Sequence, residues 1–358
     1  MSTQDQTSKH KDFLEWYINN QKTYATLARK VESILKELLD VEKVNYHYVS
    51  CREKDIKSLS KKLDTKNYNN PKEEITDLAG VRIVTYVEDD NARVSRIVED
   101  NFTIDKENSV NKGEELGVDK VGYKSIHYIA SMSDDRLALP EYKRFKNLKF
   151  EIQIRTILQH AWAEIEHDRN YKFSGVLPDD IQRRFGLLAA AMESADREFN
   201  SISNKIDEIA QEVKESALKG NLDFPINSTT IKEYFKTKFK NLFDNNIIPE
   251  FFDSEREKLA LEELKKFGLV TLSDLDKIIP EKFEEHAISH FADYRNFNAL
   301  NAIIVSILIT HDYKKYLEEV KTKEHWENNT ATSYKDFWGK FNIDTDLLTE
   351  KYGITFSK

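Results

Sequence analysis

Glu151-Ile-Gln-Ile-Arg-Thr156 alternates polar and apolar residues. In an extended strand every second side chain shares a face. Glu151, Gln153 and Arg155 therefore line one side while Ile152 and Ile154 enter a core. A carboxylate, an amide and a guanidinium on one strand face suit a metal-bound polyphosphate. A sheet edge with a solvated polar face gives the same pattern, so this segment alone leaves both readings open.

Around that strand, the β-branched run Val81 to Tyr86 predicts a second strand, and Ser125 to Ser131 with Leu148 to Thr156 predict two more. Asn45 to Ser50 alternates and reads as a further strand. Asn108 to Val121 holds two glycines and many charges and reads as a mobile loop. Helical spacing runs through 12–40, Lys54 to Leu63, Asn91 to Glu99 and Ile157 to Tyr171. Helices before, between and after the strands of a mixed sheet make an α+β domain.

Beyond it, Leu177-Pro-Asp-Asp180 is a helix start with proline and acids in the first turn. Ile181, Phe185, Leu188, Met192, Ala195, Phe199, Ile202, Ile206, Ile209 and Val213 then alternate spacings of four and three. That is the seam of a helix packing lengthwise on another helix, either in a second chain or in the N-terminal helix of its own, with the intrachain option preferred. Gly220 to Thr230 reads as a linker and 231–358 as all helix, including a glycine turn and capped helix within Leu264 to Leu275. The apolar run Ala299 to Thr310 is too short to span a bilayer and reads as a buried core helix.

The chain of 358 residues is long enough for two domains, and its 33% charged and 39% apolar content suits a soluble, helix-rich protein. A net charge of −9 argues against broad nucleic-acid binding, so an anion site must be a local cluster. Arg52, Lys54, Lys57, Lys61 and Lys62 form the obvious one. The single cysteine, Cys51, excludes an intrachain disulfide and fits a reducing cytoplasm. It is read as a small filler, although Arg52 beside it could lower its pKa. No apolar segment at the polar N-terminus resembles a signal peptide, so a cytoplasmic location is expected.

Three more segments carry chemistry: Arg52-Glu-Lys-Asp-Ile-Lys-Ser-Leu-Ser-Lys-Lys62, Asp77-Leu-Ala-Gly-Val-Arg-Ile83 and Gly122-Tyr-Lys-Ser-Ile-His127. With Glu151 to Thr156, and in this order, they resemble the synthetase domain of the RelA/SpoT family over roughly residues 12–175. The resemblance implies a nucleotidyltransferase-like fold, a mixed β-sheet flanked by helices. A long helix over 178–219 and an all-α regulatory or oligomerisation domain over 231–358 would follow it.

It also implies an ATP-dependent pyrophosphokinase that moves pyrophosphate to the ribose 3′-hydroxyl of GDP or GTP, making the alarmone (p)ppGpp. Asp77 and Glu151 match the family's acidic positions and would hold Mg²⁺, with Glu151 also assisting deprotonation of the acceptor hydroxyl. Arg52 and Arg82 would sandwich adenine, and Lys54, Ser58 and Lys62 would complete the ATP site. Tyr123 would stack on the acceptor base, with Lys124 and His127 on acceptor phosphates and Gln153 and Arg155 in support. Lys57 and Lys61 stay a solvated helix face.

Two departures stand out. Small synthetases of the family typically place an asparagine that reads the guanine edge where this chain has His160, and an imidazole lacks the paired pattern of an amide. The acids in Arg52-Glu-Lys-Asp55 also dilute the first basic motif. His167-Asp168 resembles a hydrolase dipeptide but sits inside a synthetase helix, and His286 with His290, four apart, lacks a third metal ligand.

A second reading has the same domain as a toxin fused to its antitoxin. It would pyrophosphorylate the tRNA 3′ end and be restrained by the C-terminal region, with Tyr313 and Tyr316 entering the adenine site. Those tyrosines also read as ordinary packing residues. A third reading, a nucleotide sensor without catalysis, is opposed by the retained Asp77 and Glu151.

Overall fold

Phe150–Thr156 is the middle strand of a five-stranded sheet, and its alternation holds: Phe150, Ile152 and Ile154 are fully buried while Glu151 and Gln153 stay partly exposed. The computed structural model describes residues 3–66, 68–111, 125–172, 177–245, 247, 254–291, 299–320 and 335–354. The chain divides into two compact units, Met1–Ser203 and Asn204–Lys358.

In the first unit the strands are β1 (Tyr46–Glu53), β2 (Ala79–Thr85), β3 (Phe102–Asn111), β4 (Ile126–Met132) and β5 (Phe150–Thr156), in spatial order β1-β2-β5-β4-β3. Only β2 and β5 run parallel; the other neighbours are antiparallel, so the sheet is mixed as expected. The helices are α1 (Thr3–Val41), α2 (Ile56–Thr65), α3 (Pro71–Glu74), α4 (Glu88–Asn101), α5 (Asp134–Leu137), α6 (Ile157–Lys172) and α7 (Asp179–Leu218), the last continuing into the second unit. Tyr17, Tyr24, Leu27, Val31 and Leu35 return to one side of α1 and join Leu59 and Leu63 of α2, Val94 and Val98 of α4, and Ile152 and Ile154 in one core. Truncating Ile152 to alanine there costs about 2–5 kcal/mol.

Two expectations change. β1 does not stop at Ser50, because its ladder with β2 continues: Arg52 pairs with Gly80 and Glu53 with Ala79. Residues 108–111 belong to β3 instead of a loop, and 112–124 lie outside the described residues. β3 pairs only with β4, at the sheet edge, where half-solvated positions tolerate the polar sequence TIDKENSVN.

The long helix forms as expected, but among the described residues only the ends of its heptad seam are covered, by Trp162 on Phe185 and by the core that takes in Ile209 and Val213. α7 docks on the first unit through a neighbouring stripe: Thr156 Oγ1 donates to Asp196 Oδ2 (2.7 Å), Asp89 N donates to Asn200 Oδ1 (2.9 Å), and Trp162 packs on Phe185. Leu188, Phe199, Ile202 and Ile206 remain 47–54% exposed. The preferred packing of this seam against the N-terminal helix is therefore not what the structure shows.

The second unit is helical, as expected. Ser228–Lys238, Ser254–Lys266, Leu272–Ile278, Phe283–Phe291 and Ala299–Lys315 close on a core containing Phe235, Phe239, Leu264, Leu272, Phe283, Ile304, Leu308 and Trp338, with Val213 from the end of α7. Gly220, at φ 78°, ends α7 as Asn221 N donates to Ser216 O (3.0 Å). The segment after it, expected as a linker, is pinned: Ile226 N donates to Val270 O (2.8 Å) and Leu272 N to Phe224 O (2.9 Å).

The glycine turn appears at Gly268, followed by the Thr271-capped helix. Ala299–Lys315 buries Ile303, Ile304, Ile307, Leu308 and Ile309; among the described residues no helix is long and apolar enough to cross a membrane. Tyr316 is fully buried and donates to Glu263 Oε2 (2.9 Å), and Tyr313 packs on the same core beside Tyr352. These tyrosines pack inside their own unit, which leaves Tyr316 no exposed ring to offer an adenine site. His286 and His290 pack their rings on Phe341 and Phe337.

Candidate functional site

Strand register decides which side chains meet. Across β1, β2 and β5, Arg52, Gly80 and Glu151 stand level; two residues along each strand, so do Ser50, Arg82 and Gln153, with His127 of β4 beside Gln153. All lie on the sheet face opposite the apolar core, and one cleft is lined by Ser50, Arg52, Lys54, Asp77, Gly80, Arg82, Glu151 and Gln153. Arg52 and Arg82 are diagonal neighbours on adjacent strands, a spacing of roughly 7–8 Å. Gly80 lies between Arg52 and Glu151, so the cleft floor carries no side chain there; a Cβ would meet only Arg52 O, at 3.9 Å.

The charges are drawn together by the segments flanking β1 and β2. Lys54 Nζ lies 2.6 Å and Lys62 Nζ 3.0 Å from Asp77 Oδ2, with all three side chains largely buried. Burial works to raise the Asp77 carboxyl, but Lys54 and then Lys62 outweigh it and hold it below the usual carboxylate range. Asp77 Oδ1 is buried without a hydrogen-bond partner among the described residues. Tyr17 fixes this corner: its hydroxyl donates to Lys54 O (2.7 Å), and Lys54 N donates to Leu78 O (2.9 Å). Lys57 and Lys61 point to the exposed side of α2, the solvated face expected of them.

Glu151 is held at both oxygens. His127 Nδ1 lies 2.9 Å from Oε1, and Gln153 Nε2 donates to Oε2 (2.9 Å). Burial would raise its carboxyl, yet the His127 contact and the Gln153 amide leave it lowered, so it is ionised across the neutral range. His127 Nε2 is buried with no partner among the described residues.

At the far end of β1, Tyr48 Oη and His160 Nε2 are hydrogen-bonded at 2.6 Å. Burial, then the Arg82 guanidinium, holds the His160 imidazole below its ordinary value and therefore neutral at pH 7. Glu164 of α6 accepts from Arg82 Nη1 (2.8 Å), which ties the guanidinium to that helix. Arg155 is 7% exposed and pushed down to about 10 by burial and then Arg82, so it stays protonated at neutral pH.

The description "Region found in RelA / SpoT proteins" matches residues 51–176. These residues are a RelA/SpoT region. Two proteins of Bacillus subtilis (strain 168), the GTP pyrophosphokinases YjbM and YwaC, are each 29% identical to this chain. YjbM aligns over 165 residues, 45% of this chain and 74% of its own, and YwaC over 146, 38% and 61%. Among solved structures, small alarmone synthetase 1 from Bacillus subtilis superposes with TM-score 0.46 at 25% identity, covering 54% of this chain and 98% of its own.

Within the RelA/SpoT region, the structure brings together Arg52, Lys54, Asp77, Arg82, Glu151 and Gln153 in the cleft, with Lys62 and His127 as direct partners of its carboxylates. Ser58 is not on the lining: it is exposed, and its hydroxyl donates to Asp55 Oδ1 (3.1 Å) at the cap of α2. Tyr123 and Lys124 lie outside the described residues. Sequence reasoning missed Gly80, Tyr48, Glu164 and Tyr17. Gly80 lay one residue before the strand expected from Val81 and Tyr48 on the side of its strand shared with Val44 and Tyr46, so neither stood out; Glu164 and Tyr17 act across the fold and carry no local signal.

Cys51, on the opposite parity to Arg52, is pushed up to about 12 by burial and the Glu32 carboxylate, which fits a filler and removes the suggested activation by Arg52. A divalent cation suits the donor set. Magnesium takes one or two carboxylates and keeps several waters, and Asp77 offers a buried oxygen with no other partner.

Proposed function

We propose that this chain is an ATP-dependent pyrophosphokinase that transfers the β,γ-pyrophosphoryl group of ATP to the ribose 3′-hydroxyl of GDP or GTP. The observation that supports it most is the convergence of Arg52, Arg82, Lys54, Asp77 and Glu151 on one cleft, with Lys62 reaching Asp77 from α2. The names of the two curated relatives point to the same chemistry.

In this reading the acceptor 3′-oxygen attacks the β-phosphorus of ATP, the bond to the α,β-bridging oxygen breaks, and AMP leaves. Such a transfer is catalysed by positioning and by charge neutralisation. Arg52 and Arg82 clamp adenine, with Glu164 keeping the Arg82 plane in place. Lys54 and Lys62 exchange Asp77 for phosphate oxygens. Mg²⁺, held by Asp77 and Glu151, would supply further charge neutralisation at the transferring group. Glu151, ionised and oriented by His127 and Gln153, accepts the proton of the 3′-hydroxyl. His160, neutral and fixed by Tyr48, faces the acceptor base in place of the family's asparagine. The helical second unit is read as a regulatory or assembly module.

The test is label transfer from [γ-³²P]ATP with Mg²⁺ by the full chain, offering GDP, GTP, AMP and bulk tRNA in parallel. Labelled guanosine product is expected. Label on tRNA alone would replace this reading with the toxin one, and no transfer to any acceptor would remove catalysis from it.

A further inference from the structure

Asp77 Oδ2 is shared by two ammonium groups, Lys54 Nζ at 2.6 Å and Lys62 Nζ at 3.0 Å. The other oxygen, Oδ1, is buried without a hydrogen-bond partner among the described residues. An oxygen that already accepts from two cations has little left to offer a metal. A dication seated at about 2.1 Å from Oδ1 would stand within a few ångströms of both ammonium groups, with the three side chains largely buried and water unable to screen them well.

The rest of the cleft leans the same way. Arg52, Lys54 and Arg82 line it and Lys62 reaches Asp77 from α2, against the carboxylates of Asp77 and Glu151. The cations outnumber the carboxylates even when Glu164, the partner of Arg82, is counted. Glu151 is engaged at both oxygens as well, by His127 Nδ1 and Gln153 Nε2. Such a cleft repels a bare divalent cation and attracts a polyanion.

We infer that Lys54 and Lys62 lock Asp77 against divalent cations in the nucleotide-free protein, and that a nucleoside triphosphate opens the lock by drawing both ammonium groups onto its phosphate oxygens. The lock rests on the proposed transfer site, in which Asp77 serves the cation and the two lysines serve phosphate. A triphosphate also reverses the local charge, so each ligand strengthens the binding of the other. Lys62 is the removable half: its contact is the longer and its side chain is 26% exposed, whereas the Lys54 backbone is tied to Leu78 and Tyr17.

The experiment titrates Mn²⁺ alone into the nucleotide-free full chain and follows free Mn²⁺ by electron paramagnetic resonance. The wild type should show no site tighter than about 1 mM, and Lys62→Met should bind one equivalent at least about tenfold more tightly. Lys62→Arg, which restores the charge, should match the wild type, and adding Asp77→Asn to Lys62→Met should abolish the gain. With α,β-methylene ATP present, the wild type should hold Mn²⁺ at least about tenfold more tightly than the analogue does in solution, an excess that Asp77→Asn removes. Circular dichroism checks each variant, and Lys62→Gln stands in for a Lys62→Met that fails to fold. Micromolar Mn²⁺ binding by the nucleotide-free wild type overturns the lock, as does a neutral Lys62 variant that binds no more tightly, or a gain that survives Asp77→Asn. Absence of the excess with the analogue overturns the opening by nucleotide. Transfer is read separately with labelled ATP: a chain that transfers label yet binds Mn²⁺ without nucleotide loses the lock and keeps the reaction.

Discussion

Both units hold buried polar atoms without hydrogen-bond partners among the described residues, such as Glu257 Oε1 and Asn301 Oδ1 in the helical unit, but only the sheet unit gathers several around one cleft. In the helical unit other polar groups tie elements together: Tyr316 donates to Glu263, Tyr234 to Asp276, Lys232 pairs with Glu257, and Trp338 Nε1 donates to Ser306 Oγ. In the sheet unit Asp77 Oδ1, Arg82 Nε, His127 Nε2 and His160 Nδ1 gather around one face, buried and without hydrogen-bond partners among the described residues. Each such atom costs on the order of 1–3 kcal/mol if nothing completes it. The first arrangement stabilises a fold; the second carries a cost that a bound polar ligand would relieve, and the surrounding sheet must offset it.

The contrast breaks first at Glu151. Replacing it with glutamine keeps size and hydrogen-bonding capacity, so pyrophosphate transfer should fall by about 10²–10⁴-fold while melting hardly moves. A large loss of melting temperature with activity intact would make Glu151 a structural group like Glu263. Gly80→Val tests the bare cleft floor. ATP affinity, read by calorimetry, should drop roughly tenfold to a hundredfold with an unchanged far-ultraviolet spectrum; unaltered affinity would put the nucleotide elsewhere.

On the helical side, Tyr316→Phe removes the hydroxyl that donates to Glu263 and should destabilise by about 1–3 kcal/mol in urea melts. A rise in transfer activity instead would return this tyrosine to an inhibitory role. The smallest effect is a pH effect at His160. Its folded value lies below the ordinary 6.5, so its contribution to stability is complete above about 6.5 and declines as pH falls toward the lowered value. His160→Asn should flatten melting temperature over that acidic window; an unchanged slope would assign the dependence to another group.

What was legible in the sequence follows the same division. Periodicity gave β5 and its polar face, since Ile152 and Ile154 alternate with charges, and it gave the apolar helix at 299–310. It failed at β3, because an edge strand with polar residues on both sides has no alternation to read. Four short motifs located the charged residues but not their geometry: nothing in the order of Lys54, Lys62 and Asp77 announces that both ammonium groups share one carboxylate oxygen. The seam of α7 was visible as a pattern, yet a heptad states only that a helix wants a partner, and the docking stripe through Asp196 and Asn200 had no signal.

The hydroxyl of Tyr17 deserves its own reckoning. It is planted mid-way along a helix of 39 residues and grips the carbonyl from which the Lys54 side chain springs, while Lys54 in turn grips Leu78, the neighbour of Asp77. Burial, then Glu53, pushes its phenol above the ordinary value, so the grip does not loosen with pH. The helix is thereby a lever whose short arm ends on an opposed pair of charges. The position of α1 therefore sets where the Lys54 backbone stands beside Asp77.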